Sequence, residues 1–126
     1  MGKTAEELID VYTAAFMTGD LAALKDCFHK DATIIGTQDG LFVTADRSVY
    51  TGFLARMGVG KSMAGRPVVY KIWENQHGKI AVSCLVEELA GARTVAYATM
   101  LQTADGWKLI SKSFVAQEAA ALHPAR

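Results

Sequence analysis

The chain has 126 residues, of which 51% are hydrophobic and 21% charged, so it is long enough for one domain with its own core and too apolar for a disordered chain. Thirteen Lys and Arg balance thirteen Asp and Glu, and a net charge of zero excludes a protein whose main work is gripping a nucleic-acid backbone. No apolar run is long enough to span a membrane, and the N-terminus carries charge where a signal peptide needs its apolar stretch.

The first third reads as helices. Thr4-Ala5-Glu6-Glu7 is a capping box. Leu8, Tyr12, Ala15 and Phe16 then recur at helical spacing. Gly19 suits the end of this helix and Asp20 the cap of a second, short one with Leu21, Leu24 and Phe28 on its stripe. After His29-Lys30-Asp31 the period changes. Ala32 to Gly36 reads as a strand, Asp39-Gly40 as a turn, and Leu41 to Thr44 as its partner strand. Asp46 caps a third helix with Val49, Tyr50, Phe53, Leu54 and Met57 on its apolar face, ending at Gly58. Gly58 to Arg66 reads as a mobile loop. Four strand-like runs follow: Pro67 to Asn75, Lys79 to Glu88, Arg93 to Thr103 and Trp107 to Ala116. The turns fall at Asn75 to Gly78, Leu89 to Ala92 and Ala104-Asp105-Gly106, and an alanine-rich tail closes the chain. Helices first and a long meander last predict a single α+β domain over residues 1–126.

Two cysteines, Cys27 and Cys84, match no CxxC spacing, so a reduced, cytoplasmic chain is expected, with Cys84 packed in the sheet as a small hydrophobe. In the run Thr94 to Leu101 one face carries Val95, Tyr97, Thr99 and Leu101, and the other Ala96, Ala98 and Met100. A sheet with one wet face alternates apolar and polar residues. Here neither face is charged, so a homodimer through the outer face is expected.

Particular residues carry a resemblance over nearly the whole chain. The first helix ends Tyr12-Thr-Ala-Ala-Phe16-Met-Thr-Gly19-Asp20, Leu24 and Phe28-His29-Lys30-Asp31-Ala32-Thr33 follow, and Asp105-Gly106-Trp107-Lys108-Leu109-Ile110 closes the pattern. The chain resembles the nuclear transport factor two-like superfamily (SnoaL-like, cone-fold), and looks most like its putative lumazine-binding branch. The resemblance implies three helices packed in a curved mixed, mainly antiparallel sheet, an apolar pocket in the cone, and frequent dimers. It implies no single reaction, since isomerases, dehydratases, cyclases, epoxide hydrolases and non-catalytic binders share the fold.

The ketosteroid isomerase branch gives the sharpest test of catalysis. Its chemistry takes a carboxylate base and two donors for the developing oxyanion. By resemblance Tyr12 falls on the donor tyrosine. The place of the catalytic aspartate is Gly36, and that of the second donor acid is near Ala98. Familiar isomerase chemistry is therefore not expected, and the histidine–aspartate and Asp-Arg-Asp branches find no match either. What the resemblance leaves is a ligand pocket with hydroxyls. Tyr12 and Phe16 enter it from the first helix, and Tyr50 and Phe53 from the third. If the last strand keeps the family's facing, Trp107, Leu109, Ser111 and Ser113 point inward, with Ile34 and Met100 beside them. Trp73 is placed in the pocket wall or on the dimer face. A mainly apolar cavity with a few hydroxyls suits a ring-bearing small molecule. The aromatic residues are equally accounted for as plain core, and the strand serines as bonded to backbone or water.

Other motifs carry less. Gly58-Val-Gly-Lys61-Ser62 resembles the tail of a phosphate-binding loop, but Ala55 stands where a glycine is needed, and a helix precedes it instead of a strand. Lys61 and Arg66 remain candidates to meet an anionic substituent at the mouth. His29 and Asp31 read as a solvated corner, and His77 and His123 fall in a turn and the tail, so no metal is expected. Nothing implies a cofactor. Glu87 and Glu88 point to opposite faces, so one can line the cavity as an acid or base, yet the nearby turn favours exposure of both. Two functions stand. One is a small-molecule-binding cone protein of unknown ligand, with room for an isomerase or lyase activity that lacks the familiar base. The other is a non-catalytic dimeric scaffold with a filled cone.

Overall fold

The computed structural model describes residues 4–59, 67–89 and 91–118. Helix α1 (Ala5–Thr18) starts at the Thr4–Glu7 capping box, with both reciprocal hydrogen bonds made, and closes at Gly19. Helix α2 (Leu21–Asp26) is capped by Asp20, whose side chain accepts from the Ala23 N–H. Strand β1 (Phe28–Gln38) turns into β2 (Leu41–Ala45) through Asp39 and Gly40, both at positive φ (52° and 81°). That pair of angles is what a two-residue hairpin turn with the right twist requires. Helix α3 (Arg47–Arg56) is capped by Asp46 through the Val49 N–H. Strands β3 (Val68–His77), β4 (Ile80–Leu89), β5 (Ala92–Thr103) and β6 (Gly106–Glu118) complete the elements of the described residues.

The six strands form one mixed sheet in the order β2-β1-β6-β5-β4-β3. Among the described residues only the β1–β6 pairing is parallel. The helices pack on one face, where Leu8, Ile9, Phe16 and Leu24 of the helices meet Leu85, Ala98, Met100 and Leu109 of the sheet. This is the α+β cone expected from the sequence, with three helices in a mainly antiparallel sheet. β1 starts earlier than the period change indicated. Phe28 already pairs with Leu109, and His29, Lys30 and Asp31 belong to the strand rather than to a corner before it.

β6 contains the irregularity that decides the site. Met100 pairs with Leu109, but Thr99 pairs with Ser111, so Ile110 is the extra residue of a bulge. The β1 pairing shifts over the same stretch. One extra residue reverses the alternation of side chains. Trp107 and Leu109 face the core before the bulge, and Lys112, Phe114 and Ala116 face inward after it. Ser111 and Ser113, expected inward by unbroken alternation, are therefore turned to the outer face, and Ser113 is exposed. β3 has a similar shift between Lys71 and Trp73, which puts Trp73 opposite Cys84 on the outer face.

Residues 60–66, with Lys61 and Arg66 of the glycine-rich stretch, lie outside the described residues. So do Ala90 and the alanine-rich tail with His123. Among the described residues no helix is long and apolar enough to cross a membrane.

Candidate functional site

Between α3, the β1–β2 hairpin and the inner face of β4–β6 lies a cavity of about 290 Å³. Its walls are mostly apolar, with Phe16, Ile34, Phe53, Leu54 and Phe114 prominent. Gln38, Thr44, Arg56 and Thr94 add polar groups, of which Thr44 and Arg56 are exposed. Three side chains of a buried polar network also line it: Tyr50, Glu87 and Lys112. Tyr12 completes the network.

Each element delivers its member by its own periodicity. Tyr12 follows Leu8 and precedes Phe16 on the buried stripe of α1, fully enclosed. Tyr50 is on the first turn of α3. Glu87 sits on the inner side of β4, opposite Val69 and Thr94. Lys112 sits opposite Ala98 on β5. The Lys112 ammonium donates to Glu87 Oε1 at 2.6 Å, Tyr50 Oη at 2.6 Å and Tyr12 Oη at 3.0 Å. Tyr12 donates to Glu87 Oε2 at 2.5 Å, and the two tyrosine hydroxyls are 3.0 Å apart. Phe28 holds both tyrosine rings by edge contacts, with centroids 6.0 Å from Tyr12 and 5.7 Å from Tyr50. The ammonium also lies 4.4 Å from the Tyr50 ring centroid, a cation–π contact.

The electrostatics follow from this enclosure. Burial raises both tyrosine hydroxyls above the usual 10.0, and the Glu87 carboxylate pushes the same way. Burial alone acts to lower the Lys112 ammonium, but Glu87 and Tyr50 outweigh it, and the net shift is upward from 10.5. A buried charge pair survives when each charge is paired and hydrogen-bonded, as here. Lys112 is thus held as an ammonium and is not an amine nucleophile. Burial pushes the Cys27 thiol up to about 12 and raises Cys84 as well, so neither is a thiolate near neutral pH.

The residues singled out in the sequence divide into three groups. Phe16, Ile34, Tyr50 and Phe53 line the cavity, and Tyr12 stands behind it in the network. Met100 and Trp107 are buried in the core at the other end of the cone, away from the cavity lining. Trp73, Ser111 and Ser113 belong to the outer face, for the reason the two bulges supply. Trp73 packs there against Tyr97, 5.7 Å between centroids. Glu87 corrects the expectation of exposure: it is 5% exposed, while Glu88 beside it faces solvent. Lys112 was not singled out at all. A lone lysine between two serines in a strand reads as a solvated position unless the bulge before it is known.

The place of the isomerase aspartate is closed. A Cβ added at Gly36 meets the Phe114 carbonyl oxygen at 2.0 Å and the Phe114 ring at 2.7 Å. At the other isomerase position, Ala98 is buried beside Lys112. Among the described residues no three His, Cys, Asp or Glu gather as a metal site. His29 Nδ1 instead accepts the Asp31 N–H at 3.0 Å.

Residues 2–115 match the model of a family described as putative lumazine-binding. No curated protein matches the chain significantly. Among solved structures, a nuclear transport factor two-like protein of unknown function from Silicibacter pomeroyi is similar. It shares 21% identity over 89% of this chain and 92% of its own, with a TM-score of 0.76. A protein of the same description from Methylobacillus flagellatus shares 19% identity over 89% and 88%, with a TM-score of 0.73. A putative aromatic ring hydroxylase from Novosphingobium aromaticivorans shares 17% over 90% and 89%, with a TM-score of 0.67. At these identities the likeness concerns the fold.

Proposed function

The chain belongs to the putative lumazine-binding family, and from that premise we propose that it is a one-domain, small-molecule-binding protein whose cone holds a ring-bearing, mainly apolar ligand. The observation that carries this reading is an apolar cavity of about 290 Å³ with a buried Lys112–Glu87 pair and Tyr50 in its wall. Ligand sites run from about 300 to 1,000 Å³, so the cavity suits one or two rings. Of the isomerase or lyase reactions run on cone folds, the reading admits those whose base is Glu87. A carboxylate on β1 has no room at residue 36. The alternative, a non-catalytic dimeric scaffold with a filled cone, is weakened by that cavity.

Two further parts of the reading concern setting and partner. The outer face of the sheet carries Val95, Tyr97 and Val115, each 41% exposed or more, with Trp73 beside Tyr97. A contiguous apolar sheet face of this kind fits a homodimer interface. Two free, buried cysteines fit a reducing, cytoplasmic setting.

Thermal unfolding with lumazine and with one- and two-ring aromatic compounds tests the binding reading. A true ligand at a hundred times its Kd stabilises the fold by about 2.7 kcal/mol. If no ring compound stabilises the protein, the reading fails.

A further inference from the structure

We propose that the inner wall of the cavity recognises its ligand as a hydrogen-bond donor, a neutral ring carrying an O–H or N–H, and rejects carboxylates and other anions. The inference rests on the binding reading above and deepens it by naming the chemistry of the ligand.

The protons of the network decide what it can offer a ligand. An ammonium has three N–H groups, and those of Lys112 go to Glu87, Tyr12 and Tyr50. A phenol has one proton. That of Tyr12 goes to Glu87 Oε2, so the bond between the two tyrosines is donated by Tyr50. All five donors of the network are then committed inside it. Tyr12 is spent as an acceptor too, because it receives both Lys112 and Tyr50. What remains is acceptor capacity alone. Glu87 has about four lone-pair positions and receives two hydrogen bonds. Tyr50 receives one, from Lys112. Both residues line the cavity, whereas Tyr12 stands behind them.

A ligand that offers a donor finds a carboxylate oxygen and forms a charge-assisted hydrogen bond in an apolar surrounding. A ligand that offers only acceptors finds no free donor in this network, and the cavity's other donors, on Gln38, Thr44, Thr94 and the exposed Arg56, lie outside it. An anion meets the Glu87 charge with Lys112 already engaged. The positive charge in the wall is thus no sign of an anion site. It also sets this wall apart from an oxyanion-stabilising one, in which donors are left free for the substrate.

Three probes of one shape separate the outcomes: 2-naphthol, 2-methoxynaphthalene and 2-naphthoate, titrated near pH 7 into the wild-type protein and into Val49→Trp. Val49 lies at the cavity and is 55% exposed, so the tryptophan can block the cavity without disturbing the core. The expected result is that 2-naphthol binds at least about tenfold more tightly than either analogue, the ratio of one charge-assisted hydrogen bond, and that Val49→Trp removes its binding. Naphthoate or methoxynaphthalene binding as tightly as naphthol, with the same loss in Val49→Trp, overturns the donor rule and leaves the binding cavity standing. Absence of any binding that Val49→Trp removes overturns both.

Discussion

The two halves of β6 turn side chains to the same, helix-bearing face of the sheet and do different work. Before Ile110, Trp107 and Leu109 are buried in a closed core with Met100. After it, Lys112, Phe114 and Ala116 line an open cavity, and Lys112 pairs with Glu87. Both halves are strand, and both are hydrogen-bonded to β5. The difference is one unpaired residue. A bulge lets a single strand contribute hydrophobic packing at one end of a cone and a buried charge at the other, with the serines between turned out. It shows why residue type and spacing alone misplace a site on a strand whose register is broken.

The severest way to break this contrast is Lys112→Met, which strands the Glu87 carboxylate: about 3–5 kcal/mol of stability lost in urea unfolding. The double variant Lys112→Met with Glu87→Leu should recover much of that loss, because no uncompensated charge remains. If the double variant is as unstable as the sum of the singles, the two residues do not act as a pair.

Gly36→Ala sharpens the comparison from the β1 side, since its Cβ collides with the Phe114 backbone. A loss of about 1–3 kcal/mol is expected, with Gly36→Asp worse and still without steroid isomerase activity. The network also predicts a pH dependence. Tyr12, Tyr50 and Lys112 all have folded values raised above their ordinary 10.0, 10.0 and 10.5. A raised value means that the unfolded chain loses its proton first. The stabilisation is therefore complete below about pH 10 and is lost as pH rises through the folded values. Urea midpoints between pH 8 and 11 should fall at the alkaline end, and less steeply in Tyr12→Phe. The smallest effects belong to the outer face. Trp73→Ser and Ser113→Ala should change ligand affinity by less than about 0.5 kcal/mol, while Tyr97→Glu should halve the mass measured by light scattering if the face joins two copies.

Much of the fold is legible in the residues themselves. The Thr4–Glu7 box, Asp20 and Asp46 name the helix starts, and Asp39-Gly40 names the hairpin, because caps and turns are local chemistry. The aromatic part of the cavity is legible for the same reason: Phe16, Tyr50 and Phe53 follow from helical spacing. The charged part was not. Glu87 lies two residues before the end of its strand, where solvent is the ordinary neighbour, and its burial depends on helices far away in sequence. Lys112 is hidden by the bulge at Ile110, and the one beside Ile72 leaves Trp73 open between pocket wall and outer face until the pairing is known. A bulge is set by pairing across the sheet, and no residue type near Ile110 announces it.

Amide chemical-shift mapping with 2-naphthol tests the central claim most directly, because it asks which end and which face of the sheet meets a ligand. The account predicts perturbations at Phe16, Ile34, Phe53, Thr94 and Phe114, with Trp73, Tyr97 and Trp107 unmoved. Perturbations confined to Trp73, Val95 and Tyr97, or none at saturating probe, would contradict it.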